Sequence, residues 1–189
     1  MTYLTMKNSE NAPEAARPIL AAVQDKVGFV PNLFGVFANA PALLKGYTAL
    51  SGIFDETGFS PEERQVILLS VSYVNGCDYC MAAHSMTAPM AGLPEDVLSA
   101  IREGREINDP KLQALRAFAQ HVVRKQGWLD DGDITAFLDA GYSEENILEV
   151  ILGVAVKTMS NYANHVAQTP LDEPFQKVAW EKPKSEAAE

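Results

Sequence analysis

Ser60-Pro61-Glu62-Glu63-Arg64-Gln65-Val66-Ile67-Leu68-Leu69-Ser70-Val71 is the stretch on which the fold turns. By periodicity alone, Val66 to Val71 is a short apolar run that a buried strand and a buried helix would share. The residues before it decide. Ser60 stands three places ahead of Glu63, the spacing at which a hydroxyl accepts from the N3 amide while the N3 carboxylate reaches back. Pro61 falls at the first helical position, where a missing N–H is not needed. The segment is predicted as helix, and because it is apolar nearly all round, as a central one.

The same reading extends outward. Ala12-Pro13-Glu14, Leu93-Pro94-Glu95-Asp96 and Asp109-Pro110 are further helix starts, and Gly58, Gly92, Gly104, Gly127 and Gly141 stand where C-caps put glycine. Helices are expected near 13–27, 41–56, 61–75, 77–91, 94–103, 110–126, 131–140 and 144–166, with short irregular pieces around Val30-Pro31-Asn32. Ile147 to Leu152 carries the same ambiguity as Val66 to Val71, and its cap again decides for helix. No Asn-Gly or Asp-Gly hairpin links alternating segments. The expected fold is an all-α bundle in a single domain: an N-terminal helical segment (1–39), a helical domain (40–170) and a polar extension (171–189). The tail from Pro170 is expected to fray. Ser60-x-Glu-Glu before the run ending at His84 echoes Ser143-Glu-Glu before the run ending at His165, which duplication and chance explain equally.

A chain of 189 residues with 47% apolar and 21% charged residues is long enough and apolar enough to bury a core. Its formal charge of -10 argues against a nucleic acid or an anionic membrane surface as partner. Met1 to Glu14 lacks a basic stretch followed by an apolar one, and the longest apolar run, Ile147 to Val156, contains Glu149 and is too short for a span. The expected location is cytoplasmic. With two cysteines three apart, a framework of structural disulfides is excluded, leaving redox chemistry or metal binding.

Those cysteines lie in Asn75-Gly76-Cys77-Asp78-Tyr79-Cys80-Met81-Ala82-Ala83-His84. On a helix, Cys80 falls about 60° and His84 about 20° from Cys77, so all three share one side. Cysteines at this spacing can close and open a disulfide with little backbone movement. Asn75-Gly76 reads as a helix break that puts Cys77 in a first turn, where free N–H groups favour a thiolate. Local physics thus makes Cys77 the more acidic thiol, without saying which sulfur attacks first. His84, one turn beyond Cys80, is expected to take its proton or hydrogen-bond to its thiolate. A zinc site is one competing reading: Cys77, Cys80 and His84 supply three ligands, and a fourth would have to come from His121, His165 or a distant carboxylate. A pair of inert core cysteines beside a helix-capping histidine is the other.

The capped helix followed by Cys-x-x-Cys-x-x-x-His resembles the AhpD-like alkylhydroperoxidase branch of the carboxymuconolactone decarboxylase family, most closely over residues 40–105. The resemblance implies a helical homo-oligomer, trimeric or hexameric, with no cofactor. It implies a hydroperoxide as substrate, Cys80 as the peroxidatic thiol, Cys77 as the resolving one, and an external dithiol as reductant. The family's characterised hydroperoxidases carry Glu in a proton relay twelve residues before the first cysteine, where this chain has Gln65. An amide there can orient His84 but cannot carry a proton. Glu62, one turn earlier, is a possible substitute, whereas Glu63 points away. Tyr79 replaces a histidine between the cysteines.

Three functions follow. The first is reduction of organic hydroperoxides. The second is a disulfide reductase or redox relay, motivated by Gln65 and Tyr79. The third is a zinc-stabilised oligomeric binding protein. The lactone decarboxylation that names the family needs no thiol pair and ranks last. His165 reads as a helix-end residue, His121 carries no signal, and Trp128 and Trp180 read as packing or interface residues.

Overall fold

The computed structural model describes residues 4–183, and no strand occurs among them. The chain forms α1 (Arg17–Val27), α2 (Asn32–Phe37), α3 (Pro41–Asp55), α4 (Pro61–Asn75), α5 (Asp78–Thr87), α6 (Glu95–Glu103), α7 (Pro110–Arg124), α8 (Asp131–Asp139) and α9 (Glu144–Ala167). Short 3-10 turns occur at Glu14–Ala16, Ala88–Ala91 and Glu173–Val178.

The capping chemistry forms as its residues dictate. Ser60 Oγ accepts from Glu63 N–H while Ser60 N–H donates to the Glu63 carboxylate. The pairs Asp130/Asp133 and Ser143/Asn146 repeat the arrangement at α8 and α9.

α4 is the central helix, packing on α5, α6, α7 and α9. One core cluster fills the space between α4, α6, α7 and α8, with Phe137 stacked between Phe118 and Tyr142 at centroid distances of 4.1 and 4.5 Å. A second, built from Ala16, Leu20, Leu33, Phe37 and Phe175, surrounds the two cysteines. α9 presses so closely on its neighbours that a Cβ on Gly153 would stand 2.8 Å from Ile67 Cγ2 and 2.9 Å from Phe54 Cε2. Only glycine lets these two side chains sit this close to the α9 backbone.

Three expectations need correction. The stretch expected to be irregular around Val30-Pro31-Asn32 leads directly into α2. The helix expected over 77–91 ends at Thr87 and tightens into a 3-10 turn, because Pro89 can supply no backbone donor. The tail does not fray up to Pro183: Asp172, Phe175 and Trp180 are buried. Trp180 Nε1 donates to Arg102 O at 2.7 Å, and Arg102 bonds back to the carbonyls of Val178 and Ala179. Its apolar anchors follow neither a helical nor a strand period, which hides their packing from pattern reading. The rest of the expected fraying lies outside the described residues.

Candidate active site

Gly76 takes a φ of +66° after the last turn of α4. Gly76 N–H then bonds Tyr73 O at 3.1 Å and Cys77 N–H bonds Ser72 O at 3.0 Å, the paired closure that ends a helix on a left-handed residue. Cys77 therefore does two jobs: it closes α4 and stands at the N-cap of α5, with φ −87° and ψ 96°. This corrects its expected place in the first turn, which holds Asp78, Tyr79 and Cys80 instead. The shared helix face extends only from Cys80 to His84.

Both cysteines are free thiols, 0% and 2% exposed for Cys77 and Cys80. Across from them α9 presents Lys157, Ser160, Asn161 and Asn164. The Asn164 amide donates to Cys80 Sγ at 3.3 Å and reaches Cys77 Sγ at 4.0 Å, while Ser160 Oγ stands 3.9 Å from Cys80 Sγ. Asn161 is fixed by Asn75, whose amide donates to its carbonyl at 2.9 Å.

These surroundings reverse the acidity expected from the helix alone. The Cys77 thiol is pushed well up by the hydrogen bond it gives Cys80, by burial and by the charge on Cys80. Burial also raises Cys80, but the Cys77 thiol, the Lys157 charge, and the Asn161 and Ser160 side chains outweigh it and hold Cys80 well below the ordinary thiol range. Lys157, only 1% exposed, is opposed by burial and kept charged by Cys80, Tyr47 and Cys77.

His84 Nε2 lies 3.0 Å from Lys157 Nζ, and Nδ1 lies 3.0 Å from Gln65 Oε1. An ammonium can only donate, so Nε2 accepts and Nδ1–H donates to the amide oxygen. Burial, and then the Lys157 charge, hold the ring well below its ordinary pKa, hence neutral. This alters the expected contact: His84 spends its ring nitrogens on Lys157 and Gln65, and meets the sulfur through the ammonium. Glu62 is not in this chain, and its charge bears instead on Tyr142. Glu63 points away, into Tyr142 and Lys111.

A cavity of about 560 Å³ opens over the site, lined by Cys80, His84 and Lys157 and by Phe29, Phe34, Tyr47, Met90 and Phe175, among others. Cys77 does not line it. Tyr79 forms part of the wall: its hydroxyl donates to Asp172 Oδ2 at 2.5 Å and accepts from Leu33 N–H at 3.2 Å.

Sequence reading missed Lys157, Ser160, Asn161, Asn164 and Asp172. The first four recur at i, i+3, i+4 and i+7 on a helix otherwise apolar, a polar stripe that marks a facing polar site. Asp172 carries no such signal. His121 pairs with Asp133 at 2.7 Å, His165 is exposed beside Tyr162, and Trp128 is 86% exposed. Among the described residues, no group of three or more His, Cys, Asp or Glu side chains is placed to hold a metal ion. No helix there is long and apolar enough to cross a membrane.

Residues 41–121 match the sequence profile of the carboxymuconolactone decarboxylase family. No curated protein sequence matches the chain. Among solved structures, the fold is similar to a peroxidase-related protein with an alkylhydroperoxidase AhpD core from Ralstonia eutropha JMP134, at a TM-score of 0.81 and 23% identity over 92% of this chain and 94% of that one. A peroxidase-related protein from Silicibacter sp. TM1040 gives 0.78 and 19%, over 92% and 93%. The debrominase Bmp8, as a cysteine-to-alanine variant bound to 2,3,4-tribromopyrrole, gives 0.77 and 21%, over 94% and 95%. The chain thus has the AhpD-like helical fold.

Proposed function

We propose, for a chain whose residues 41–121 match the carboxymuconolactone decarboxylase family and whose fold is AhpD-like, that it reduces organic hydroperoxides through a Cys77/Cys80 dithiol–disulfide cycle. One observation carries the reading: the apolar cavity reaches Cys80 and not Cys77, and Cys80 is the sulfur whose surroundings favour the thiolate. The Cys80 thiolate attacks the terminal oxygen of the hydroperoxide, the O–O bond breaks, and the alcohol leaves. Cys80 is then a sulfenic acid. Cys77 displaces its hydroxyl as water, forming the disulfide, and an external dithiol is oxidised as it restores both thiols. Self-association belongs to the same proposal, supported by exposed Leu148, Ile151, Tyr162 and Val166 along α9 and Ile53 on α3.

A second reading is disulfide exchange without peroxide chemistry, favoured by the neutral Gln65. To separate them, the reduced protein is given one equivalent of cumene hydroperoxide under anaerobic conditions, and thiol content and intact mass are followed beside Cys80→Ser. Rapid loss of both thiols as an intramolecular disulfide, absent from the variant, is expected. Thiols that stay reduced would turn the reading to disulfide substrates, and release of bromide from a brominated pyrrole would turn it to the chemistry of the debrominase.

A further inference from the structure

We infer that Lys157 is the general acid of the peroxide step: its ammonium gives the departing alkoxide its proton, and His84 and Gln65 hold it in position. The inference rests on the hydroperoxidase reading above.

Cleavage of an O–O bond by a thiolate expels an alkoxide, a strong base that in a largely apolar cavity needs a proton as it forms. The groups lining the cavity that could give one are few. Tyr79 has committed its hydroxyl to Asp172. Lys26 is exposed and lies also against a second cavity between α1 and α3. His84 is neutral, with its one N–H directed at Gln65 and its other nitrogen occupied by Lys157. Tyr47 is a neutral phenol, so giving up its proton would leave a phenolate and an ammonium buried together, whereas a proton given by Lys157 leaves neither charge. Lys157 remains: it lines the cavity beside Cys80, is 1% exposed, and directs one N–H at His84 and one at Cys80, leaving its third for an incoming oxygen.

Charge and atoms balance through it. Before the step, the buried charges are the Cys80 thiolate and the Lys157 ammonium. Sulfur takes the terminal OH of the hydroperoxide, the alkoxide takes a proton from Lys157, and the products are a sulfenic acid, an alcohol and a neutral amine. No charge is left uncompensated. When an external dithiol reduces the disulfide, one of its protons stays on Cys77 and the other returns to Lys157 as the Cys80 thiolate re-forms. The charged and titratable groups that face Lys157 are Cys80, Cys77, Tyr47 and His84. Gln65 fits this scheme better than a carboxylate would, because a carboxylate would favour an imidazolium and set two cations against each other.

The test compares two oxidants on wild type, Lys157→Met and Lys157→Arg. Cumene hydroperoxide must expel an alkoxide, whereas peracetic acid expels acetate and needs no proton. Rates are measured at a pH where absorbance at 240 nm shows Cys80 fully ionised in each protein, so that thiolate content drops out of the comparison. Lys157→Met is expected to lose about 100-fold or more with cumene hydroperoxide and less than about tenfold with peracetic acid. Lys157→Arg, which keeps the charge but holds its proton too tightly to give it up, is expected to show the same selectivity and carries the test should the methionine variant misfold. Equal losses with both oxidants would overturn the inference and leave Lys157 as a partner of the thiolate alone. Wild type that reacts with neither oxidant would instead reject the hydroperoxidase reading itself.

Discussion

An ammonium beside an imidazole is ordinarily repulsive; at Lys157 and His84 it is a hydrogen bond because the ring is neutral and Cys80 supplies the balancing charge. This has a consequence for stability. Cys80 is depressed in the folded state, so between its folded value and about 8.5, the ordinary thiol value, the unfolded chain binds more protons and stability rises with pH. His84 acts in the same direction, since the unfolded ring protonates below about 6.5 while the folded one stays neutral. Lys157, raised, stabilises below its unfolded value of about 10.4, and that contribution is lost as pH rises through its folded value. Thermal melts of the reduced protein are therefore expected to rise in midpoint from pH 5 to pH 8 and turn over in the alkaline range; a flat profile would contradict the buried ion pair. Asn164 gives a second residue-scale prediction. Asn164→Asp places a carboxylate where an amide donor meets both sulfurs, and the thiolate titration at 240 nm is expected to move up by roughly one unit or more.

The elements owe their boundaries to local chemistry and their function to what crosses between them. Gly76 is the clearest case, because one left-handed residue both ends α4 and sets Cys77 at the head of α5. Gly76→Ala is expected to cost about 1–2 kcal/mol in urea unfolding and to slow disulfide closure more than attack on peroxide, as measured by trapping the sulfenic acid. Equal slowing of both steps would separate the turn from the resolving role proposed for Cys77. α9 joins the packing to the site: Gly153 lets it lie against α3 and α4, and Lys157, Ser160, Asn161 and Asn164 then fall opposite α5. The start of this helix was legible from its cap, but the purpose of its polar stripe was not, since spacing says that four residues share a face and not what the face meets.

At the scale of the whole molecule, residues far apart in sequence close the site. Asp172 binds Tyr79 and the Asn32 N–H, Phe175 packs edge-on against Tyr79 and Phe29, and Trp180 locks the segment to α6. A variant ending at Gln168 is expected to expose the site, so that its cysteines react with an aromatic disulfide reagent at least about tenfold faster under native conditions, through local opening rather than global unfolding. An unchanged rate would show that the segment does not cover the thiols. The all-helical fold, the starts of the capped helices, and the nearness of Cys77 to Cys80 were determined by the sequence alone, because caps, helix breaks and cysteine spacing act over a few neighbouring residues. Which sulfur is the more acidic, what His84 touches, and that a lysine completes the site were decided only by tertiary structure. Burial and charge act through space, and Lys157 is 73 residues from His84 along the chain yet in hydrogen-bond contact with it.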